Sequence, residues 1–78
     1  MTNLEKYNEA FKESFGVTDD QLSGLVYQGI QEWDSVGHMQ LIAALEDAFD
    51  IMFDTEDIID FSSYEKGKEF MAKYEVEL

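Results

Sequence analysis

Trp33-Asp34-Ser35-Val36-Gly37-His38-Met39, continued by Leu41-Ile42-Ala43-Ala44-Leu45-Glu46-Asp47-Ala48-Phe49-Asp50, is the stretch whose reading decides the fold. Leu41, Ile42, Leu45 and Phe49 recur at spacings of three and four, the period that lines up one face of an α-helix. Glu46, Asp47 and Asp50 fall outside that stripe and should face water. Asp34 and Ser35 stand just ahead of it. The side-chain oxygen of either accepts a hydrogen bond from a free N–H of a first helical turn. The spacing therefore predicts a helix from Asp34 or Ser35 to Phe49 or Asp50.

Working outward, Leu4, Tyr7, Phe11 and Phe15 repeat the helical spacing and predict a first helix over about Thr2–Phe15. Gly16 follows and accepts the left-handed conformation that ends many helices. Between Val17 and Trp33 the pattern is irregular. Thr18 with Gln21 makes a capping-box pattern and predicts one short helical turn. Leu22, Leu25, Val26, Tyr27, Ile30 and Trp33 are too apolar for a solvated linker and should pin this connection to the helices. After the central helix, Asp54-Thr55 opens a short helix through Ile59. Ser62 with Glu65 opens a last one to about Tyr74, its buried face made by Tyr64, Phe70, Met71 and Tyr74. No Asn-Gly or Asp-Gly turn separates alternating apolar runs, so strands are not expected. The expected fold is all-α, a small bundle of three main helices plus one short helix, as a single domain over residues 1–78.

Five Lys, no Arg and eighteen acidic residues give a formal net charge of -13. Such a surface repels nucleic-acid phosphates and anionic membranes, and its complement is a basic protein partner. The absence of cysteine excludes a disulfide framework, a thiolate metal site and a cysteine nucleophile. No apolar run approaches the roughly 20 residues that span a bilayer, and Met1-Thr2-Asn3-Leu4-Glu5-Lys6 lacks a signal-peptide pattern. The expectation is a cytoplasmic, monomeric domain that neither inserts into membranes nor binds nucleic acid.

Two catalytic or metal-binding readings fail on spacing. Asp34, Ser35 and His38 are the residue types of a hydrolase triad, but adjacent turns of one helix do not bring imidazole to the serine with a carboxylate on its far side. Trp33 also occupies the first glycine position of a Gly-x-Ser-x-Gly elbow. On this reading His38 is a partly exposed surface histidine. From Asp50 to Phe61 several carboxylates suggest a calcium loop, yet the turn lacks its glycine and phenylalanine stands in the final position. No metal site is expected.

Asp34-Ser35-Val36 resembles the Asp-Ser-Leu attachment motif of acyl carrier proteins. The likeness continues through Leu41–Asp50, with its Leu-Glu-Asp-Ala-Phe run, and the helix spacing around it extends over most of the chain. The resemblance implies a carrier without catalytic activity of its own. A phosphopantetheinyl transferase would attach 4'-phosphopantetheine from coenzyme A to Ser35, and acyl intermediates would travel as thioesters on that arm. It implies that Asp34, Val36 and Met39 lie near the arm. It also implies that Glu46, Asp47, Asp50, Glu56 and Asp57 form the acidic face met by basic enzymes: acyl ligases, synthases or acyltransferases. Fatty-acid carriers usually have acidic residues soon after the serine, where Gly37 and Gln40 stand here, and a small residue in place of Trp33. The missing acids speak against recognition by the general fatty-acid enzymes, and Trp33-Asp34-Ser35 resembles carriers dedicated to specialised pathways, including surface-polysaccharide modification or secondary metabolism. The alternative is an acidic helical adaptor that binds a basic partner and carries no arm.

Overall fold

Thr2 begins the chain's first helix: its hydroxyl accepts from the Glu5 N–H at 3.1 Å while the Glu5 carboxylate accepts from the Thr2 N–H at 2.9 Å. From that cap onward, the computed structural model, which describes residues 1–78, folds into five helices joined by loops. They are α1 (Asn3–Phe15), α2 (Asp19–Leu22), α3 (Ser35–Phe49), α4 (Thr55–Asp60) and α5 (Tyr64–Lys73). Helix makes up 62% of the chain and there is no strand. The expected bundle of three main helices plus one short helix is thus corrected to three long helices and two short ones. The capping pattern at Thr18 is a helix of its own, with the Gln21 Oε1 accepting from the Thr18 N–H at 3.0 Å.

Helix ends follow local chemistry. Gly16 (φ 69°) and Asp50 (φ 54°) close α1 and α3 in the left-handed conformation, and their N–H groups donate back to the Lys12 and Glu46 carbonyls. The cap of α5 is Ser63, whose Oγ accepts from the Lys66 N–H at 2.9 Å, not the expected Ser62. Both serines are followed by acceptable helix formers, and only tertiary pairing separates them. Ser63 forms an isolated antiparallel bridge with Val26. There the Tyr27 N–H donates to the Ser62 carbonyl at 2.8 Å and the Tyr64 N–H to the Leu25 carbonyl at 2.9 Å. This bridge ties the long α2–α3 connection to the α4–α5 junction.

The core is aromatic. Phe11 of α1 lies within 5.0–6.3 Å, ring centre to ring centre, of Tyr7, Phe15, Trp33, Phe61 and Tyr64. Several of these meet edge to face, the arrangement the ring quadrupole favours. Leu41, Ile42 and Leu45 of α3 are buried beside them, as the apolar stripe requires. Burying each such side chain contributes about 1.5–3 kcal/mol. The Tyr7 hydroxyl satisfies itself in the interior by donating to the Tyr64 carbonyl at 2.7 Å. Burial pushes the Tyr7 phenol far above its ordinary range, so it keeps the proton it donates. Of the connection residues, Leu22, Leu25 and Trp33 are buried and Tyr27 and Ile30 half-buried, whereas Val26 is exposed.

Candidate functional site

Asp34, in extended conformation, caps α3: its Oδ1 accepts from the Gly37 N–H at 2.8 Å. Ser35 is then the first helical residue, exposed, with no intramolecular hydrogen bond to its hydroxyl. The backbone N–H groups of Ser35 and Val36 precede the first intrahelical hydrogen bond and point out of the helix end. The site thus offers an accessible hydroxyl at the positive end of a helix dipole.

The segment before Ser35 is held from inside. Trp33 is fully buried and stacks on Phe15 at 5.1 Å. Its indole N–H donates to His38 Nδ1 at 2.9 Å. An indole nitrogen only donates, so Nδ1 carries no proton, and Nε2–H is the donor to the Ile58 carbonyl at 2.7 Å. One histidine therefore joins the loop ahead of Ser35, helix α3 and helix α4. His38 is buried, which corrects its expected place on the surface. The signal was present in the sequence: a buried tryptophan requires an acceptor, and His38 is the imidazole one turn away. With both ring nitrogens engaged, the imidazole has none to offer the Ser35 hydroxyl.

Gly37 shows why an acidic residue is missing from the first turn. The Glu32 carbonyl crosses directly over its Cα, and any Cβ there would overlap that oxygen and press on the Phe15 ring. The buried tryptophan that draws the chain across α3 thus requires glycine at 37.

Beside Ser35 opens a cleft of about 340 Å³ between α3 and α4. Met39, Ile58 and Ile59 form its walls, and His38 and Phe61 lie at its base. Ser35, Ser62 and Tyr27 supply hydroxyls around it. Of the side chains expected near the arm, Met39 is on this cleft, whereas Val36 projects into solvent from the same helix turn. Val36, Met39 and Ile59 are 66%, 53% and 73% exposed, which leaves three apolar side chains in water around the serine. Tyr27, Ile59 and Ser62 were not legible as site residues, because the Val26–Ser63 bridge and the packing of α4 bring them there from remote positions.

The expected acidic face divides. Asp47, Asp50 and Glu56 are exposed on α3, its C-terminal cap and α4. Glu46 is half-buried, and its carboxylate accepts from the Phe53 N–H at 2.9 Å, shaping the α3–α4 turn. Asp57 does not belong to a free face. It is buried and receives Lys73 Nζ at 2.9 Å on both oxygens, and the Tyr74 hydroxyl on one of them. The Tyr74 hydrogen bond and the Lys73 ammonium hold its carboxyl below the usual range. The third residue of a short helix tied to α5 points inward, a consequence of packing that charge alone did not disclose. No group of three or more His, Cys, Asp and Glu side chains is placed to hold a metal ion, and no helix is long and apolar enough to cross a membrane.

No family model matches this chain, and neither a curated protein nor a solved structure matches it.

Proposed function

We propose that the chain is an acyl carrier protein, with the helical arrangement of that family, and that Ser35 is the attachment point of its 4'-phosphopantetheine arm. One observation carries the reading: the hydroxyl in the Trp33-Asp34-Ser35-Val36 motif is exposed and unpaired, at the head of the helix bearing the Leu45-Glu46-Asp47-Ala48-Phe49 run, and borders an apolar cleft. The residues present fit the group. The open N–H groups of Ser35 and Val36 favour a phosphodiester at that position, as a helix N-terminus does in general. When bound, the arm supplies a thiol, on which cargo is held as a thioester.

In the attachment step, Ser35 Oγ bonds to the phosphorus that bears pantetheine in coenzyme A. The bridging P–O bond breaks, adenosine 3',5'-bisphosphate leaves with that oxygen, and the hydroxyl proton passes to the transferase. Asp34 sets the direction of the hydroxyl by fixing the first turn through Gly37. The buried Trp33–His38 pair keeps the preceding loop from covering it. The chain supplies no base, and catalysis belongs to the enzymes it visits.

Recognition follows from surface chemistry. The exposed apolar trio Val36, Met39 and Ile59, together with the exposed carboxylates Asp47, Asp50 and Glu56 elsewhere on α3, its cap and α4, suits a transferase, ligase, synthase or acyltransferase that offers both an apolar depression and Lys and Arg side chains. Opposite potentials steer such encounters, while desolvated apolar contacts hold them. The glycine at 37 and the buried Trp33 favour enzymes of a dedicated pathway, such as surface-glycan modification or secondary metabolism, over those of general fatty-acid synthesis.

The test is intact-mass measurement after incubation with a broad-specificity phosphopantetheinyl transferase, magnesium and coenzyme A. The chain should gain one phosphopantetheine, and Ser35→Ala should gain none while keeping its helical circular dichroism. Modification of the alanine variant would overturn the site.

A further inference from the structure

His38 is buried beside Ser35, and attachment of the arm does not use it. Its two ring nitrogens are held in unlike ways. Nδ1 accepts the Trp33 indole N–H at 2.9 Å, and Nε2 donates to the Ile58 carbonyl at 2.7 Å. A proton taken up by the ring goes to Nδ1, the nitrogen without one, and there it points at a second donor. Neither indole nor imidazolium can then accept, so the Trp33 bond is lost. The Ile58 bond is kept, because Nε2 stays a donor and a positive ring donates more strongly. Protonation therefore acts on one side only: it frees the chain ahead of Ser35 and leaves α4 attached.

The surroundings of the ring offer a positive charge no partner. Tyr27 of the α2–α3 connection meets the imidazole edge to face at 5.4 Å, and Phe61, after α4, does so at 6.1 Å. Asp34, on the cap of the same helix, spends its Oδ1 on the Gly37 N–H. Asp57, next to Ile58, is bound by Lys73 and Tyr74. Glu32 and Asp60 are exposed, and no carboxylate pairs with either ring nitrogen. A buried charge without a counter-ion is costly. Trp33, for its part, stacks on Phe15 at 5.1 Å, and this inward pull lays the Glu32 carbonyl over Gly37 in the first turn of α3.

We propose that His38 is a positioning residue for attachment at Ser35 and makes it proton-sensitive: the neutral ring fixes residues 32–34 through Trp33, and acid releases them. The consequence at Ser35 rests on the carrier reading, whereas the release of Trp33 stands apart from it. The hold exists only without the proton, so it is complete at high pH and lost as pH falls. Imidazole ordinarily gains its proton between about pH 8 and pH 5. The chain has one histidine and one tryptophan, so one imidazole and one indole N–H signal report the event.

The experiment follows the unaltered chain and His38→Gln by nuclear magnetic resonance at pH 8, 6.5 and 5.5. Glutamine offers an acceptor and a donor but does not titrate. At pH 8 the parent's imidazole should carry its proton on Nε2. As the ring charges, protection of the Trp33 indole proton against exchange should fall roughly three- to tenfold, after correction for the intrinsic rate. The Gln28, Trp33 and Gly37 amides should loosen with it, and those of Ile58 and Phe61 should not. His38→Gln should show none of this. A second arm times phosphopantetheine transfer from coenzyme A onto both chains with one transferase. The parent-to-variant rate ratio, in which the enzyme's own pH dependence cancels, should be near one at pH 8 and lower by about threefold or more at pH 5.5. An indole proton equally protected at every pH, an Nδ1–H tautomer at pH 8, or an unchanging rate ratio would overturn the inference while leaving the carrier reading intact. Should His38→Gln not fold, the parent's indole and amide exchange decide alone. Failure of Ser35 to load at any pH would overturn both the carrier reading and the role of His38 at Ser35.

Discussion

Gly37 and Ser35 sit two residues apart and are constrained in opposite ways. Ser35 faces solvent and bears on the fold only through its backbone, so its replacement by alanine should change stability by no more than ~0.5 kcal/mol. Gly37 faces the Glu32 carbonyl and the Phe15 ring. Gly37→Ala should destabilise the protein by about 1–3 kcal/mol, because carbonyl and ring must both move; urea unfolding followed by circular dichroism measures it. An unchanged midpoint would mean that the Glu32 loop yields freely and that Trp33 does not anchor it. At this scale the serine was readable from its neighbours, since a capping residue ahead of an apolar stripe declares itself. The constraint on Gly37 was not. Sequence showed that an acidic residue was missing there, while the reason lies in a carbonyl five residues earlier that only folding brings overhead.

Among the elements, α4 shows how a six-residue helix is kept in place. It is too short to hold itself in water. Three attachments fix it: the Ile58 carbonyl on His38, the Asp57 carboxylate on Lys73 and Tyr74, and the Tyr74 hydroxyl accepting from the Asp54 N–H at 2.8 Å. Asp57→Asn should therefore lower Tm at neutral pH. The sign with pH follows from the depressed carboxyl: the stabilisation is complete above the unfolded value of about 3.9 and is lost as pH falls through the lower folded value. The Tm difference between Asp57→Asn and the parent should be full at pH 7 and close to nothing once the parent's carboxylate is protonated; a constant difference across the range would contradict the latch. The long helices were legible from periodicity. The inward turn of Asp57 was not, because a short acidic helix looks the same whichever side it docks, and its lysine lies sixteen residues away.

For the molecule as a whole, the dominant fact is a charge of -13 on a body with a radius of gyration of 11.2 Å. Lys12, Lys68 and Lys73 take part in the four ion pairs, which leaves most of the eighteen side-chain carboxylates without a cationic partner. At 0.01 M salt the Debye length is about 30 Å and these charges repel across the molecule; at 0.15 M it is about 8 Å and much of that repulsion is screened. Tm should rise by several degrees between those salt concentrations, and millimolar magnesium should act in the same direction. A flat response would mean that the aromatic core outweighs the repulsion throughout. On the carrier proposal, the same charge would steer basic enzymes towards the exposed Ser35.

Intact-mass and peptide mass spectrometry of the protein recovered from its own cells test the central claim most directly. The account predicts a population heavier by one phosphopantetheine, with the added mass confined to the peptide containing Ser35. A population without that mass, or with it on any other residue, would contradict it.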